Sequence, residues 1–149
     1  MADGHDGELA PIGQRDPAQI LDLLGRRFRP EAIQQRKVGG GRQVAYVPVD
    51  AVIERLNKAC NTWHFRIVSR ERDIMALPRW DQQARKSIPT DTTVVVIIGE
   101  LEIPELGRRE AIGVQALDDG SGEDLIKGAA SDSLKKAASL FGIPIDGGG

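Results

Sequence analysis

Apolar and polar positions along the 149-residue chain follow two different periods. In three stretches apolar residues recur every three or four positions, which is the spacing of one face of an α-helix. Between these stretches they alternate with polar residues or run unbroken, which is typical of β-strands. The order of the segments predicts an α+β fold, α-β-β-α-β-β-β-α. A hairpin and a three-stranded antiparallel meander are expected to pack against helices that lie mainly on one side.

The first two helices have recognisable starts. Asp16 and Pro17 suit the N-cap and the first turn of a helix, and apolar residues then recur at helical spacing as far as Phe28. Asp50 is the predicted N-cap of a second helix that runs to about Asn61. The predicted buried stripe of this second helix is Val52, Ile53, Leu56, Ala59 and Cys60.

The third and longest helix is predicted over residues 127–142. Gly142 is its expected C-cap, and Pro144 follows where a helix cannot continue. The predicted apolar face consists of Ile126, Ala129, Ala130, Leu134, Ala137, Leu140 and Phe141. The remaining narrow arc carries Lys127, Ser131, Asp132, Lys135, Lys136 and Ser139. These lysines either keep the outer side of a sheet-covering helix in water or form part of a binding surface.

Two short extended runs flank three glycines between Pro30 and Val47. Glycine tolerates the positive φ angles that tight turns need, so we predict a β-hairpin that turns at residues 39–41. A phosphate-binding loop is the alternative interpretation. The sequence contains neither G-x-x-x-x-G-K-[ST] nor a correctly spaced G-x-G-x-x-G, which disfavours that alternative.

Three further strands are predicted. Residues 63–70 alternate between apolar and polar, which indicates a strand with His64 and Arg66 on its wet face. The β-branched run from Thr92 to Leu101 is apolar on both faces and predicts the central strand of the sheet. Residues 108–117 are expected to return as its antiparallel partner. Periodicity fades between residues 73 and 89, so a long loop is predicted there.

The periodic segments are predicted to form one domain over residues 15–146. Residues 1–14 predict a flexible acidic tail, and residues 147–149 form a glycine-rich end. The longest apolar run, at residues 94–98, is too short to cross a bilayer, so no membrane contact is expected. Cys60 is the single cysteine, which excludes an internal disulfide and favours a reducing intracellular compartment.

The net charge of −2 conceals an uneven distribution of charge along the chain. Residues 15–86 carry fifteen bases against eight acids, a net charge of +7, and twelve of those bases are arginine. Residues 87–149 carry five bases against eleven acids, a net charge of −6. A basic block inside an acidic chain indicates local contact with a polyanion, or a charged contact between subunits.

Candidate catalytic groups are few. The sequence has two histidines, His5 and His64, and neither G-x-S-x-G nor H-E-x-x-H occurs. Cys60 lies on an apolar stripe, which favours a buried structural thiol over a nucleophile. The cluster of Asp118, Asp119, Glu123 and Asp124 lacks the spacing of a calcium loop. We therefore expect a protein that is not an enzyme and uses no cofactor or metal. An enzyme with a site in the 73–89 loop is the alternative, although no acid–base pair can be located there.

Motifs in three parts of the chain occur in a characteristic order. The hairpin contributes Pro30-Glu31, Ile33, Arg36, Gly39-Gly40-Gly41, Val44 and Tyr46. The second helix and the meander contribute Val52-Ile53, Asn57, Trp63, Glu110 and Gly113. The last helix contributes Ala130, Asp132, Leu134-Lys135-Lys136-Ala137 and Phe141-Gly142. Over residues 29–142 this order and spacing resemble the Rad-fifty-two family of single-strand annealing proteins, and in particular its bacterial and phage members such as DdrA.

The resemblance implies a protein that binds single-stranded DNA in a groove on an oligomeric ring and anneals complementary strands without ATP, in recombinational DNA repair. The predicted DNA-binding residues are Arg36, Lys37, Arg42, Tyr46, Lys135 and Lys136. Ser139 stands where the family often has a further arginine, so one phosphate contact is expected to be absent. A recombinase or a single-strand-binding protein is an expected partner, and the expected location is the cytoplasm, associated with the nucleoid of a bacterial or phage-infected cell.

The composition agrees with backbone binding. Aromatic residues make up only 4% of the chain, so a platform on which bases stack is scarce. Cations that bind phosphates leave base edges free for an incoming strand, which is what annealing requires. Two alternatives remain open at this point, namely DNA-end protection without annealing and a charge-paired oligomeric module that binds protein.

Overall fold

The structure, a computed structural model, describes residues 9–37, 41–117 and 122–146. Within these residues the predicted α+β fold and its element order are confirmed. The elements are α1 (Pro17–Leu24), β1 (Gln34–Lys37), β2 (Gln43–Tyr46), α2 (Val49–Ala59), β3 (His64–Asp81), β4 (Lys86–Ile103), β5 (Gly107–Ala116) and α3 (Gly122–Ser139). β1 and β2 form a two-stranded antiparallel sheet, and β3, β4 and β5 form a three-stranded one with β4 in the centre. The predictions for residues 1–8 and 147–149 lie outside the described residues.

Helix α1 begins where the sequence predicts it. The Asp16 carboxylate accepts the backbone N–H of Gln19 at 2.9 Å, and the Gln19 side chain accepts the backbone N–H of Asp16 at 3.2 Å. This reciprocal capping box satisfies two donors at the start of the helix. Ile20 and Leu24 are buried against the rest of the domain, so the cap and the apolar face together fix the position of α1.

The predicted hairpin strands are confirmed by the pairing of β1 with β2. Gln34 lies opposite Tyr46, and Arg36 lies opposite Val44. Side chains that face each other across an antiparallel pair, and those two residues further along, point to the same side. The hairpin therefore presents Arg36 and Tyr46 on one face. Residues 38–40, which include two of the three glycines of the predicted turn, lie outside the described residues.

Helix α2 starts slightly earlier than predicted. Pro48, not Asp50, occupies the N-cap position, so the prediction that Asp50 caps this helix is wrong. Asp50 lies in the first turn, where a carboxylate interacts favourably with the positive end of the helix dipole. Cys60 is buried at the other end, which confirms that the thiol lies in the core.

The predicted loop at residues 73–89 is wrong. This stretch belongs to a two-stranded ribbon, in which β3 and β4 continue past the end of β5 and turn over residues 82–85. Pro78 lies opposite Pro89, and in a ribbon with two open edges a proline can direct its missing N–H outward without losing a ladder bond. The pattern faded because much of the ribbon lies outside the core, and Ile74 on one of its faces is 65% exposed.

Helix α3 covers the three-stranded sheet, and it contacts β5 most closely at Gly113. A Cβ atom placed on Gly113 would lie 2.0 Å from the carbonyl oxygen of Ala129, so only glycine fits there. The hydroxyl of Ser133 is buried and donates to the carbonyl of Ala111 at 2.9 Å. Small residues on both elements thus allow close approach of their backbones.

The buried face of α3 is rotated relative to the prediction. Ile126 is 39% exposed and Leu140 is 57% exposed, so both were wrongly assigned to the apolar face. Ser133 takes a core position instead, because its hydroxyl is satisfied by the sheet. The helix ends at Ser139, and Gly142 follows with a φ of 103°. Hydrogen bonds from the N–H groups of residues 142 and 143 to the carbonyls of 139 and 138 complete a C-terminal stop of the kind predicted.

Candidate nucleic-acid interface

A groove of about 570 Å³ lies where the hairpin, the start of α2, the end of β5, the ribbon and α3 meet. Elements distant in sequence therefore form its walls together. Its lining residues are Arg36, Tyr46, Pro48, Val49, Leu77, Arg79, Val114, Gln115, Ala116, Gly128, Ser131, Asp132, Lys135 and Lys136. Four of the six predicted DNA-binding residues, namely Arg36, Tyr46, Lys135 and Lys136, are among them.

Tyr46 brings the two walls of this groove together. The guanidinium carbon of Arg36, on β1, lies 5.5 Å from the centre of the Tyr46 ring. The ammonium nitrogen of Lys135, on α3, lies 5.3 Å from the same ring centre. Both distances are within the range of cation–π attraction. The Tyr46 hydroxyl donates to the side-chain oxygen of Gln34 at 2.9 Å, which fixes the ring on the hairpin.

The charge on Lys135 is held in an unfavourable environment. Burial lowers the pKa of its ammonium group, and the neighbouring Arg36 guanidinium lowers that pKa further. The Asp132 carboxylate acts in the opposite direction, but it is the smallest of the three influences. An anion placed between Arg36 and Lys135 would relieve this repulsion, so the geometry favours binding of a negatively charged group.

Lys136 has a different environment, although it lines the same groove. Its ammonium nitrogen lies 2.9 Å from Oδ2 of Asp132, one helical turn earlier. The same carboxylate oxygen accepts the backbone N–H of Val114 at 3.0 Å. Asp132 therefore joins α3 to β5 while it balances the charge on Lys136.

The other two predicted residues lie away from the groove. Lys37 is at the end of β1 and Arg42 directly precedes β2, and both side chains are exposed. Neither of them lines the groove. The structure therefore brings together the two hairpin residues and Lys135 and Lys136 of α3, but it does not bring Lys37 and Arg42 into the same site.

The ribbon contributes two groove residues that were not predicted from the sequence. Leu77 and Arg79 lie on β3 within the stretch predicted as a loop, and both line the groove. In the structure Met75, Leu77 and Arg79 are half-buried while Ile74 and Trp80 are exposed, which is the period of a strand with one covered face. The sequence shows no such alternation, because residues 74–77 are all apolar.

The candidate catalytic groups are metal-ligating side chains and the Cys60 thiol. No three His, Cys, Asp or Glu side chains within them come together in a way that could hold a metal ion. Burial raises the pKa of the Cys60 thiol, which disfavours the reactive thiolate. Asp118 and Asp119 lie outside the described residues. Across the described chain no helix is both long enough and apolar enough to span a membrane.

The described residues thus define a class of α+β domain in which a β-hairpin and a C-terminal helix border a cation-lined groove. Arg36, Lys135 and Lys136 line this groove, and the Tyr46 ring lies near the first two of them. The sequence profile of the Rad52/22 family of double-strand break repair proteins matches residues 16–146. The chain belongs to this family. No match was found among curated protein sequences.

Proposed function

We propose that this protein binds single-stranded DNA through its phosphate backbone and anneals complementary strands without ATP, in recombinational repair. The observation that carries the proposal is the convergence of Arg36 and Lys135, from distant parts of the chain, on the ring of Tyr46. Two cations held in repulsion at one point favour a phosphate between them.

The geometry supports contact with phosphates instead of stacking on bases. Cations lie near the Tyr46 ring on both walls, so the ring serves to place the cations and is poorly placed to receive a base. A strand bound by its phosphates keeps its base edges available for pairing. Pairing of complementary strands is downhill, which agrees with a sequence that has no P-loop motif.

The resemblance to the annealing family also implies a subtype, a location, an oligomeric state and partner proteins. We place the chain near the bacterial and phage members of the family such as DdrA, with a cytoplasmic, nucleoid-associated location. We also expect a homo-oligomeric ring, and a recombinase or single-strand-binding protein as partner. The Ser139 hydroxyl donates a hydrogen bond to the carbonyl of Lys136 at 2.6 Å. Serine carries no charge, so this position lacks the cation that the family often has as an arginine.

The decisive experiment is an annealing assay with two complementary oligonucleotides, one carrying a fluorophore and the other a quencher, in the absence of nucleotide. The wild-type protein is expected to accelerate quenching, and Arg36→Ala is expected to lose about tenfold in rate. Arg27→Ala is the matched control, because Arg27 is an exposed arginine outside the groove. Equal rates with and without protein would reject annealing.

DNA-end protection is the second candidate function, and the same groove could serve it. An exonuclease assay on single-stranded ends separates the two activities. Protection by the wild-type protein without accelerated annealing would assign end protection as the function. Sedimentation at low and high salt, with and without DNA, tests the hypothesis of a charge-paired protein-binding module. That hypothesis predicts an assembly that dissociates at high salt and whose sedimentation does not change when DNA is added.

A further inference from the structure

A carboxylate lies among the cations of the groove. Asp132 lines the groove beside Lys135 and Lys136, and its Oδ2 atom accepts two hydrogen bonds. One comes from the backbone N–H of Val114 at 3.0 Å, and the other from the ammonium group of Lys136 at 2.9 Å. In a groove that binds an anion, a negative charge at this position opposes the ligand.

The structural task of Asp132 does not require its charge. The hydrogen bond from Val114 needs an acceptor oxygen, and the amide oxygen of an asparagine would serve equally well. The charge matters for Lys136, because the carboxylate and the ammonium group form an ion pair at i and i+4 on α3. A phosphate that contacts Lys136 therefore competes with the Asp132 carboxylate for the positive charge of the ammonium group.

We propose that the Asp132 carboxylate competes with a DNA phosphate for the ammonium group of Lys136. This competition weakens binding of the strand and speeds its dissociation. The inference rests on the proposed function. The two lysines of α3 that line the groove then have different tasks. Lys135, which has no carboxylate within ion-pairing distance among the described residues, anchors the strand, whereas Lys136 exchanges between Asp132 and a phosphate. Rapid exchange of Lys136 between its two partners favours annealing, because the protein must release a strand once that strand has paired.

Asp132→Asn tests this inference, since it removes the charge and keeps the acceptor for Val114. We expect binding of a fluorescent oligothymidylate to tighten by about three- to tenfold at roughly 0.1 M salt. The salt slope of log affinity should steepen by roughly 0.7, the value for one additional phosphate contact on a single strand. Dissociation, followed by a chase with unlabelled oligonucleotide, should slow by a similar factor.

Asp22→Asn is the matched control. Asp22 forms an ion pair with Arg26 at 2.9 Å and at the same i, i+4 spacing, but on α1 and outside the groove. This variant changes the net charge by the same amount, and we expect its affinity and salt slope to remain those of the wild type. Asp132→Ser, which is also neutral and can accept a hydrogen bond, provides a second variant should the asparagine variant fold poorly.

A double-mutant cycle identifies Lys136 as the intermediary. In the Lys136→Ala background, Asp132→Asn should lose most of its effect on the salt slope. If Asp132→Asn melts like the wild type yet binds with unchanged affinity and slope, Asp132 has only its structural role and the inference is wrong. If instead the wild-type protein binds oligothymidylate no better than a variant without Arg36 and Lys135, the proposed function itself fails.

Discussion

At the scale of single residues, Tyr46 organises the groove because one ring places two cations. Its hydroxyl contacts Gln34 and its ring contacts Arg36 and Lys135. The two contributions can be separated by substitution. Tyr46→Phe keeps the ring and removes one exposed hydrogen bond, whereas Tyr46→Ala removes the surface on which the cations rest.

We expect Tyr46→Phe to bind oligothymidylate within about twofold of the wild type, and Tyr46→Ala to bind about five- to tenfold more weakly, since cation–π contacts contribute about 0.5–1 kcal/mol each at exposed sites. Fluorescence anisotropy at constant salt measures both. An equal loss of affinity in the two variants would show that the hydroxyl, and not the ring, forms the contact that matters.

The lowered pKa of Lys135 predicts how binding depends on pH. A neighbouring phosphate favours the charged ammonium group, so affinity should fall as pH rises through the lowered pKa of the free protein. Lys135→Arg should remove most of this fall, because a guanidinium stays charged. Arg36, Tyr46, Asp132 and Lys136 face the same groove in both proteins, so the comparison isolates Lys135.

Stability should change with pH in the opposite direction to binding. Between the lowered pKa of Lys135 and its ordinary value of 10.5, the unfolded chain binds more protons at this site than the folded chain. The free energy of unfolding contributed by this site therefore rises with pH in that window, where affinity falls. Urea unfolding of the wild type and of Lys135→Arg measures this term, and a parallel fall of stability and affinity in the wild type alone would contradict it.

At the scale of elements, the contact between α3 and β5 sets the position of the lysines. Gly113→Ala would bring a methyl group within 2.0 Å of the Ala129 carbonyl, so the helix must move away from the sheet. We expect a loss of about 2–4 kcal/mol in the free energy of unfolding and weaker strand binding. Gly25→Ala is the control, since its added Cβ would meet nothing closer than 3.4 Å. Chemical denaturation of both variants checks the difference.

The ribbon is the element that the sequence could not reveal, and the reason is physical. The capping residues and apolar faces of the helices leave a periodic signal because those elements pack on a core. The family resemblance predicts Arg36 and Lys135 as DNA-binding residues, but their meeting at Tyr46 depends on tertiary packing that no local pattern encodes. The ribbon has one face largely in water and two opposed prolines, so its pattern of apolar and polar residues resembles that of a loop. Arg79 was therefore not predicted as a groove residue.

Arg79→Ala tests whether the ribbon contributes to strand binding. We expect a loss of about three- to tenfold in affinity for oligothymidylate, because one cation that lines the groove is removed. Trp80→Ala is the matched control on the opposite face of the same strand, where Trp80 is 45% exposed. Anisotropy titrations should show the loss for Arg79 alone. Equal losses for both variants would indicate that the ribbon as a whole has been disturbed.

At the scale of the whole molecule, the position of charge matters more than its total. The chain is acidic overall, yet its groove combines Arg36 and Arg79 from the basic block of residues 15–86 with two lysines of a block that is otherwise acidic. At a salt concentration of about 0.1 M, charges more than roughly 10 Å from a phosphate are largely screened. Binding should therefore depend on the local cations and only weakly on the net charge of −2.

Two charge-matched double variants test this locality. Lys135→Ala with Lys136→Ala removes two cations from the groove, and Arg27→Ala with Arg29→Ala removes two that make no ion pair within the described residues and do not line the groove. We expect the first pair to weaken binding of oligothymidylate by at least about tenfold and to reduce the salt slope by up to roughly 1.4, with a melting temperature close to that of the wild type. The second pair should bind within about twofold of the wild type. Equal losses of affinity in the two variants would mean that the total charge of the protein attracts the strand. A lower melting temperature of the lysine variant would instead indicate a structural role for Lys135 and Lys136.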